Sequence, residues 1–61
     1  MNTITVYADG MDVATFHYDP KHQLDVLTAQ RDARTEADKQ VARGRKVETC
    51  TEDAEGNQTW A

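Results

Sequence analysis

The sequence predicts an α+β domain with the element order ββαββ, in which a four-stranded antiparallel sheet in spatial order 2-1-3-4 has one helix packed on one face. Two strand-like stretches flank the turn pair Asp9-Gly10, a polar segment with regularly spaced alanines follows, and a second strand pair ends the chain. A crossover helix between two hairpins favours this topology because connections in small domains are short and do not cross. We expect one domain over 1–61, with a hairpin over 3–18, a helix over 20–43 and a hairpin over 46–60.

The first hairpin is predicted from alternating β-branched and aromatic residues on both sides of Asp9-Gly10, a strong signal for a two-residue loop. Such a loop fixes which side chains share a face, since directly opposed residues point the same way. One side then holds the pairs Ala8 with Met11, Val6 with Val13, and Ile4 with Thr15. The other side holds Tyr7 beside Asp12 and Thr3 beside Phe16, with Tyr18 following.

The helix is predicted to begin at Asp19-Pro20 and to end before Gly44. Aspartate caps the free N–H groups of a first turn, proline is favoured at the first helical position, and glycine ends helices. A small-residue stripe, Ala29, Ala33, Ala37 and Val41, recurs at every fourth residue. It would let the helix lie close to the sheet, against larger side chains. The expected core partners are Ile4, Val6, Met11, Val13, Cys50 and Trp60.

The second hairpin is predicted from a strand over 46–52, a turn at 53–57 in which Gly56 supplies a positive φ, and a short return strand over 58–60. A three-residue loop between Asp53 and Asn57 pairs Thr51 with Thr59 and leaves Cys50 and Trp60 together on the other face.

One helix covers one face, so the other is expected to stay open, and a slip of one residue in either hairpin would exchange the two faces. A helix–helix dimer along the alanines is the rival arrangement. The open face is predicted to consist of Thr3, Thr5, Tyr7, Phe16, Tyr18, Val47, Thr49, Thr51 and Thr59. A sheet face with three aromatic side chains and many threonines is expected to bind something.

Composition narrows the class of protein. A chain of 61 residues that is 38% apolar has a small core, so a dimer or a bound partner is expected to add burial. The single cysteine, Cys50, excludes an intrachain disulfide, and neither a leader pattern nor a membrane-spanning run is present in the sequence. We therefore expect a cytoplasmic protein with no membrane association.

The net charge of −4 is unevenly distributed. Residues 21–46 carry seven basic and four acidic side chains, whereas residues 1–20 carry a charge of −3 and residues 47–61 a charge of −4. Basic residues near the predicted helix end complement its dipole, so part of the basic bias has a structural cause.

The sequence favours binding over catalysis. Metal-ligand types occur at His17, Asp19, His22 and Cys50, but there is no second cysteine and no recognised metal motif. No nucleophile elbow, phosphate loop or dinucleotide fingerprint occurs. We therefore expect no catalytic residues, no metal and no cofactor, and interpret Cys50 as a small buried hydrophobe.

Two binding classes and one structural alternative follow. In the favoured one, the open face and nearby carboxylates bind a protein partner with a basic surface, through Tyr7, Asp12, Phe16, Tyr18 and Glu52. In the second, the aromatic residues stack single-stranded nucleic acid, which the acidic sheet disfavours because the basic residues lie on the helix. The third is a homodimeric structural or adaptor protein that uses the same face.

In size, acidity and plain α+β architecture the chain resembles the small orphan proteins of bacteriophages and mobile elements, including anti-CRISPR inhibitors. That resemblance covers general character and no residue motif. It implies an inhibitor that occupies a host protein surface, such as a nucleic-acid-binding surface of a CRISPR effector.

Overall fold

A computed structural model describes all residues, Met1–Ala61. It contains β1 (Asn2–Ala8), β2 (Met11–Tyr18), α1 (Gln23–Ala42), β3 (Val47–Glu52) and β4 (Gln58–Trp60). The four strands form one antiparallel sheet in the order β2-β1-β3-β4. The predicted α+β fold and strand order are therefore confirmed.

The first hairpin turns at Asp9 and Gly10, whose φ values of 53° and 82° are those of the two central residues of a type I′ turn. Asp9 also ties this turn to the start of β3. Its backbone N–H donates to the Lys46 carbonyl over 2.8 Å, and its carboxylate accepts from the Lys46 N–H over 3.0 Å.

The register of this hairpin follows the prediction only at the turn. Ala8 pairs with Met11, but the register then shifts at a bulge, and Val6 pairs with Ala14 rather than with Val13. An extra residue in one strand reverses the face of every residue beyond it, because side chains alternate with a period of two. Ile4 therefore pairs with Phe16, where Thr15 was predicted.

The bulge moves two aromatic residues to the helix side of the sheet, the face that packs against α1. Tyr18 is 6% exposed in a core cluster with Ile4 and Val6, and Phe16 packs against that cluster. The predicted placement of Phe16 and Tyr18 on the open face is wrong. Met11 and Val13, predicted as core, are exposed.

α1 begins three residues later than predicted. The Asp19 carboxylate accepts from the Lys21 N–H, and its backbone carbonyl accepts from the His22 N–H, so Asp19 closes a turn before the helix. His22 is the N-cap residue and makes no capping hydrogen bond with its side chain. Asp25 in the first turn reaches back and accepts from the Asp19 N–H over 2.6 Å.

The small-residue stripe is confirmed at Ala29 and Ala33, which are buried, and wrong at Val41, which is 59% exposed. Each step of four residues overshoots a helical turn by roughly 40°, so a strict four-residue repeat rotates away from the sheet. Gln40 takes the buried position instead. Its amide donates to Glu36 over 2.8 Å and accepts from Arg45 over 3.0 Å, which satisfies both polar ends.

The second hairpin has the predicted pairs, Thr51 with Thr59 and Cys50 with Trp60. Its placement against β1 differs from the prediction, because Thr5 opposes Cys50. Cys50 and Trp60 therefore lie on the open face, and the predicted assignment of both to the helix-side core is wrong. Val47, Thr49, Thr51 and Thr59 lie on the helix side, contrary to prediction.

α1 packs mainly over one half of the sheet. It contacts β1 and β2 extensively, β3 less, and makes no contact with β4. No helix of the structure has an apolar stretch long enough to cross a membrane.

Candidate functional site

The face of the sheet away from α1, called here the open face, has no layer packed on it. Its members follow from the pairing of the strands, since directly opposed residues share a face. Across the sheet they form three rows. The open face consists of Asp12, Tyr7 and Glu48 in the first row, Thr15, Thr5, Cys50 and Trp60 in the second, and His17, Thr3, Glu52 and Gln58 in the third.

An aromatic pair forms the apolar part of the open face. The ring centroids of Tyr7 on β1 and Trp60 on β4 are 5.3 Å apart, with the planes tilted by 35°. Trp60 is 52% exposed. Cys50, in register between Thr5 and Trp60, is buried at 4% exposure. Trp60 thus presents apolar surface to solvent, Tyr7 is half-buried beside it, and the thiol of Cys50 is buried on β3 between their strands.

Three carboxylates surround this aromatic pair. Asp12 and Glu48 are the register partners of Tyr7 on either side, and Glu52 is the register partner of Thr3. None of the three makes an ion pair, and no strand residue is lysine or arginine. The open face is therefore a region of uncompensated negative charge around an aromatic centre.

Threonine hydroxyls lie beside the aromatic residues. The Oγ1 atoms of Thr5 and Thr15 are 3.3 Å apart across β1 and β2. His17 lies at the β2 edge of the third row and is exposed. These groups can exchange hydrogen bonds with a partner after it displaces water.

Aspartate side chains in the turns at the ends of the sheet accept hydrogen bonds from nearby backbone N–H groups. The Asp53 carboxylate accepts from the backbone N–H groups of Glu55 and Asn57, each over 2.9 Å, and from the Asn57 side-chain amide over 3.1 Å. The hydrogen bond from the Asn57 backbone is the main cause of a lowered pKa for Asp53, and the Asn57 side chain adds to it. Asp53 and Asp9 therefore stabilise the turns in which they lie by accepting hydrogen bonds from backbone N–H groups.

Of the five residues predicted to bind a partner, the structure brings Tyr7, Asp12 and Glu52 together on the open face. Phe16 and Tyr18 lie on the opposite side, so the three-aromatic stacking platform is not assembled. Sequence reasoning missed Glu48 and Trp60 as members of this face. Only the long-range register between β1 and β3 could have revealed them.

The open face holds no constellation for metal chemistry. No group of three or more histidine, cysteine, aspartate or glutamate side chains lies close enough together to hold a metal ion. It combines an exposed aromatic side chain with unpaired carboxylates.

Comparisons with known proteins found no match: the chain matches no protein-family model, no curated protein and no solved structure.

Proposed function

We propose that this chain is a small acidic protein-binding module, an inhibitor of the phage or mobile-element kind. Its open face would occupy a basic, nucleic-acid-binding surface of a host protein in the cytoplasm, such as a CRISPR effector. The observation that carries the proposal is the position of Asp12, Glu48 and Glu52 around the pair formed by the half-buried Tyr7 and the exposed Trp60.

The aromatic pair supplies the affinity in this proposal. Tryptophan and tyrosine are enriched among the residues that dominate binding energy at protein interfaces. Trp60 is half-exposed, and its ring is already held against Tyr7, so little side-chain freedom is lost on binding.

The carboxylates supply steering and choice of partner. Unpaired negative charge on one face speeds association with a basic surface and opposes association with acidic ones. The same charge repels nucleic acid, whose affinity for proteins comes largely from lysine and arginine contacts to phosphate. A basic groove that normally holds nucleic acid is the surface that fits these groups best.

The proposal is tested by affinity capture from the native host with the wild-type chain and two charge variants. Glu48→Lys reverses one charge on the open face, whereas Asp38→Lys makes the same change on α1, where Asp38 is exposed and makes no side-chain contact by hydrogen bond or ion pair. We expect Glu48→Lys to weaken capture roughly tenfold, about 1.4 kcal/mol, and Asp38→Lys to leave it within twofold.

Recovery of the partner should also fall as salt is raised, since exposed charges more than about 10 Å apart are screened at 0.1 M ionic strength. Capture that Glu48→Lys and Asp38→Lys weaken equally, in variants with unchanged circular dichroism, would contradict the assignment of binding to the open face.

A further inference from the structure

The helix side of the sheet is only half covered. Four strands at about 4.8 Å spacing make a sheet roughly 19 Å wide, whereas one helix is about 10 Å across and covers two strands. α1 lies mainly over β1 and β2, contacts β3 less and does not reach β4. The helix side of β4 and the adjoining side of β3 are left uncovered, and a further helix could lie along this strip.

A groove runs between α1 and the helix side of β3, with a volume of about 290 Å³. Ile4, Ala33 and Ala37 form its apolar floor. Its sheet wall is formed by Thr49 and Thr51, neither of which uses its hydroxyl in an intramolecular hydrogen bond. Its helix wall includes Arg34. This groove, called here the α1–β3 groove, is separate from the open face because it lies on the other side of the sheet.

Beyond the two ends of this groove, the same flank of α1 carries exposed apolar side chains. Leu27 and Val41 are each seven residues from Arg34, so the three lie in one line along the helix, with a drift of roughly 20° per step. Leu27 is 50% exposed and Val41 is 59% exposed. Both are apolar side chains left facing solvent beside an uncovered strip of sheet.

The charge in the middle of this line is unpaired. Arg34 is exposed and makes neither an ion pair nor a side-chain hydrogen bond. By contrast, Arg31 pairs with Asp32, and Arg45 donates to Gln40. An unpaired guanidinium with an exposed apolar side chain two helical turns to either side fits a carboxylate with apolar side chains at the same spacing.

We propose that the α1–β3 groove binds one amphipathic helix of a partner protein. The helix would carry a carboxylate against Arg34 and apolar side chains about two turns to either side, against Leu27 and Val41. A second copy of the chain fits poorly. In a two-fold antiparallel pair that sets Leu27 against Val41, Arg34 would oppose its own counterpart, and like charges repel.

The test uses a synthetic amphipathic helical peptide of 20 residues, the length of α1. The peptide has a central glutamate with a leucine seven residues to each side. A second, control peptide has lysine in place of the glutamate. Fluorescence anisotropy should show saturable binding of the glutamate peptide, and nuclear magnetic resonance should place amide shifts at Leu27, Arg34 and Thr51. Arg34→Glu should raise the Kd at least about tenfold.

The matched control is Lys39→Glu, which makes the same charge change on the opposite flank of α1, roughly 140° from Arg34 around the helix. It should change the Kd by no more than twofold. The lysine peptide should bind the Arg34→Glu variant better than it binds the wild type, since the charges are then exchanged.

Three results would overturn the proposal. One is the absence of saturable binding by the glutamate peptide, and another is an equal loss of binding in Arg34→Glu and Lys39→Glu. The third is a stable dimer of the chain, seen by sedimentation, that the glutamate peptide does not dissociate and whose contact shifts fall on Leu27 and Val41. That dimer would assign the groove to a second copy.

Discussion

Val13 is the extra residue that β2 accommodates at its bulge, and it determines where the aromatic side chains lie. A hairpin without the bulge would place Phe16 and Tyr18 on the open face beside Tyr7. The sequence around Val13 and Ala14 carries no glycine or proline to mark the irregularity. Packing Tyr18 and Phe16 near Ile4 adds buried apolar area to a small core. This stabilisation comes from tertiary contacts, so local sequence patterns do not predict it.

The two tyrosines should differ in their effect on stability. Tyr18→Ala removes a buried ring and should lower the free energy of unfolding by about 3 kcal/mol. Tyr7→Ala removes a ring at the surface of the open face and should cost about 1 kcal/mol, the worth of its aromatic pair. Urea unfolding followed by circular dichroism measures both. A larger loss in Tyr7→Ala would reverse the assignment of the faces.

Asp53 should make the second hairpin sensitive to acid. Its pKa is lowered from the ordinary 3.8, chiefly by the Asn57 backbone N–H, so the charged form is stabilised in the folded state. This stabilisation is present above pH 3.8 and is lost as the pH falls through the lowered value. Asp53→Asn should therefore remove part of the pH dependence of unfolding in this window, followed by Trp60 emission. An unchanged acid profile in Asp53→Asn would show that this carboxylate does not contribute.

At the scale of elements, the helix was the easier to predict and the strand pairing the harder. Gly44, with a φ of 78°, follows the end of α1 as expected, and Ala29 and Ala33 lie against the sheet, because a glycine stop and helical spacing are local properties. The start of α1 was predicted three residues too early. The register between β1 and β3 joins residues that are 39 to 49 positions apart, such as Thr5 and Cys50. No local spacing encodes it, so Cys50 was assigned to the wrong face.

The close approach of α1 to the sheet should tolerate little added volume. Ala29→Leu forces a branched side chain into the core cluster between α1 and the sheet and should destabilise the fold by about 1–3 kcal/mol. Leu24→Ala, at a position 79% exposed on the same helix, should change stability by less than about 0.5 kcal/mol. The melting temperatures of the two variants, measured by thermal unfolding, compare these effects. Equal melting temperatures in the two variants would contradict the close packing of α1.

At the scale of the whole molecule, basic side chains are absent from the open face. The open face has carboxylates around Tyr7 and Trp60, whereas all seven basic residues lie on α1 or in the segments on either side of it, where α1 itself also carries four carboxylates. The sequence alone indicated this separation, because charge changes sign along the chain with the elements. Of the residues that it suggested for partner binding, Tyr7, Asp12 and Glu52 lie on the open face. It missed Trp60, which is the largest side chain on the open face and is half-exposed.

Tryptophan fluorescence can distinguish binding at the open face from binding in the α1–β3 groove, since Trp60 is the only tryptophan and lies on the open face. A partner that covers the open face should shift or quench its emission. A helix bound in the α1–β3 groove lies on the other side of the sheet. Trp60 emission therefore separates the two proposed interactions in one titration.

The most direct test of the central claim is competition for the captured host partner between this chain and a fluorescent oligonucleotide that the partner binds. We expect the chain to displace the oligonucleotide at the concentration that shifts Trp60 emission, and Glu48→Lys to do so roughly tenfold less well. A ternary complex, in which the partner holds chain and oligonucleotide together with unchanged affinities, would contradict the claim.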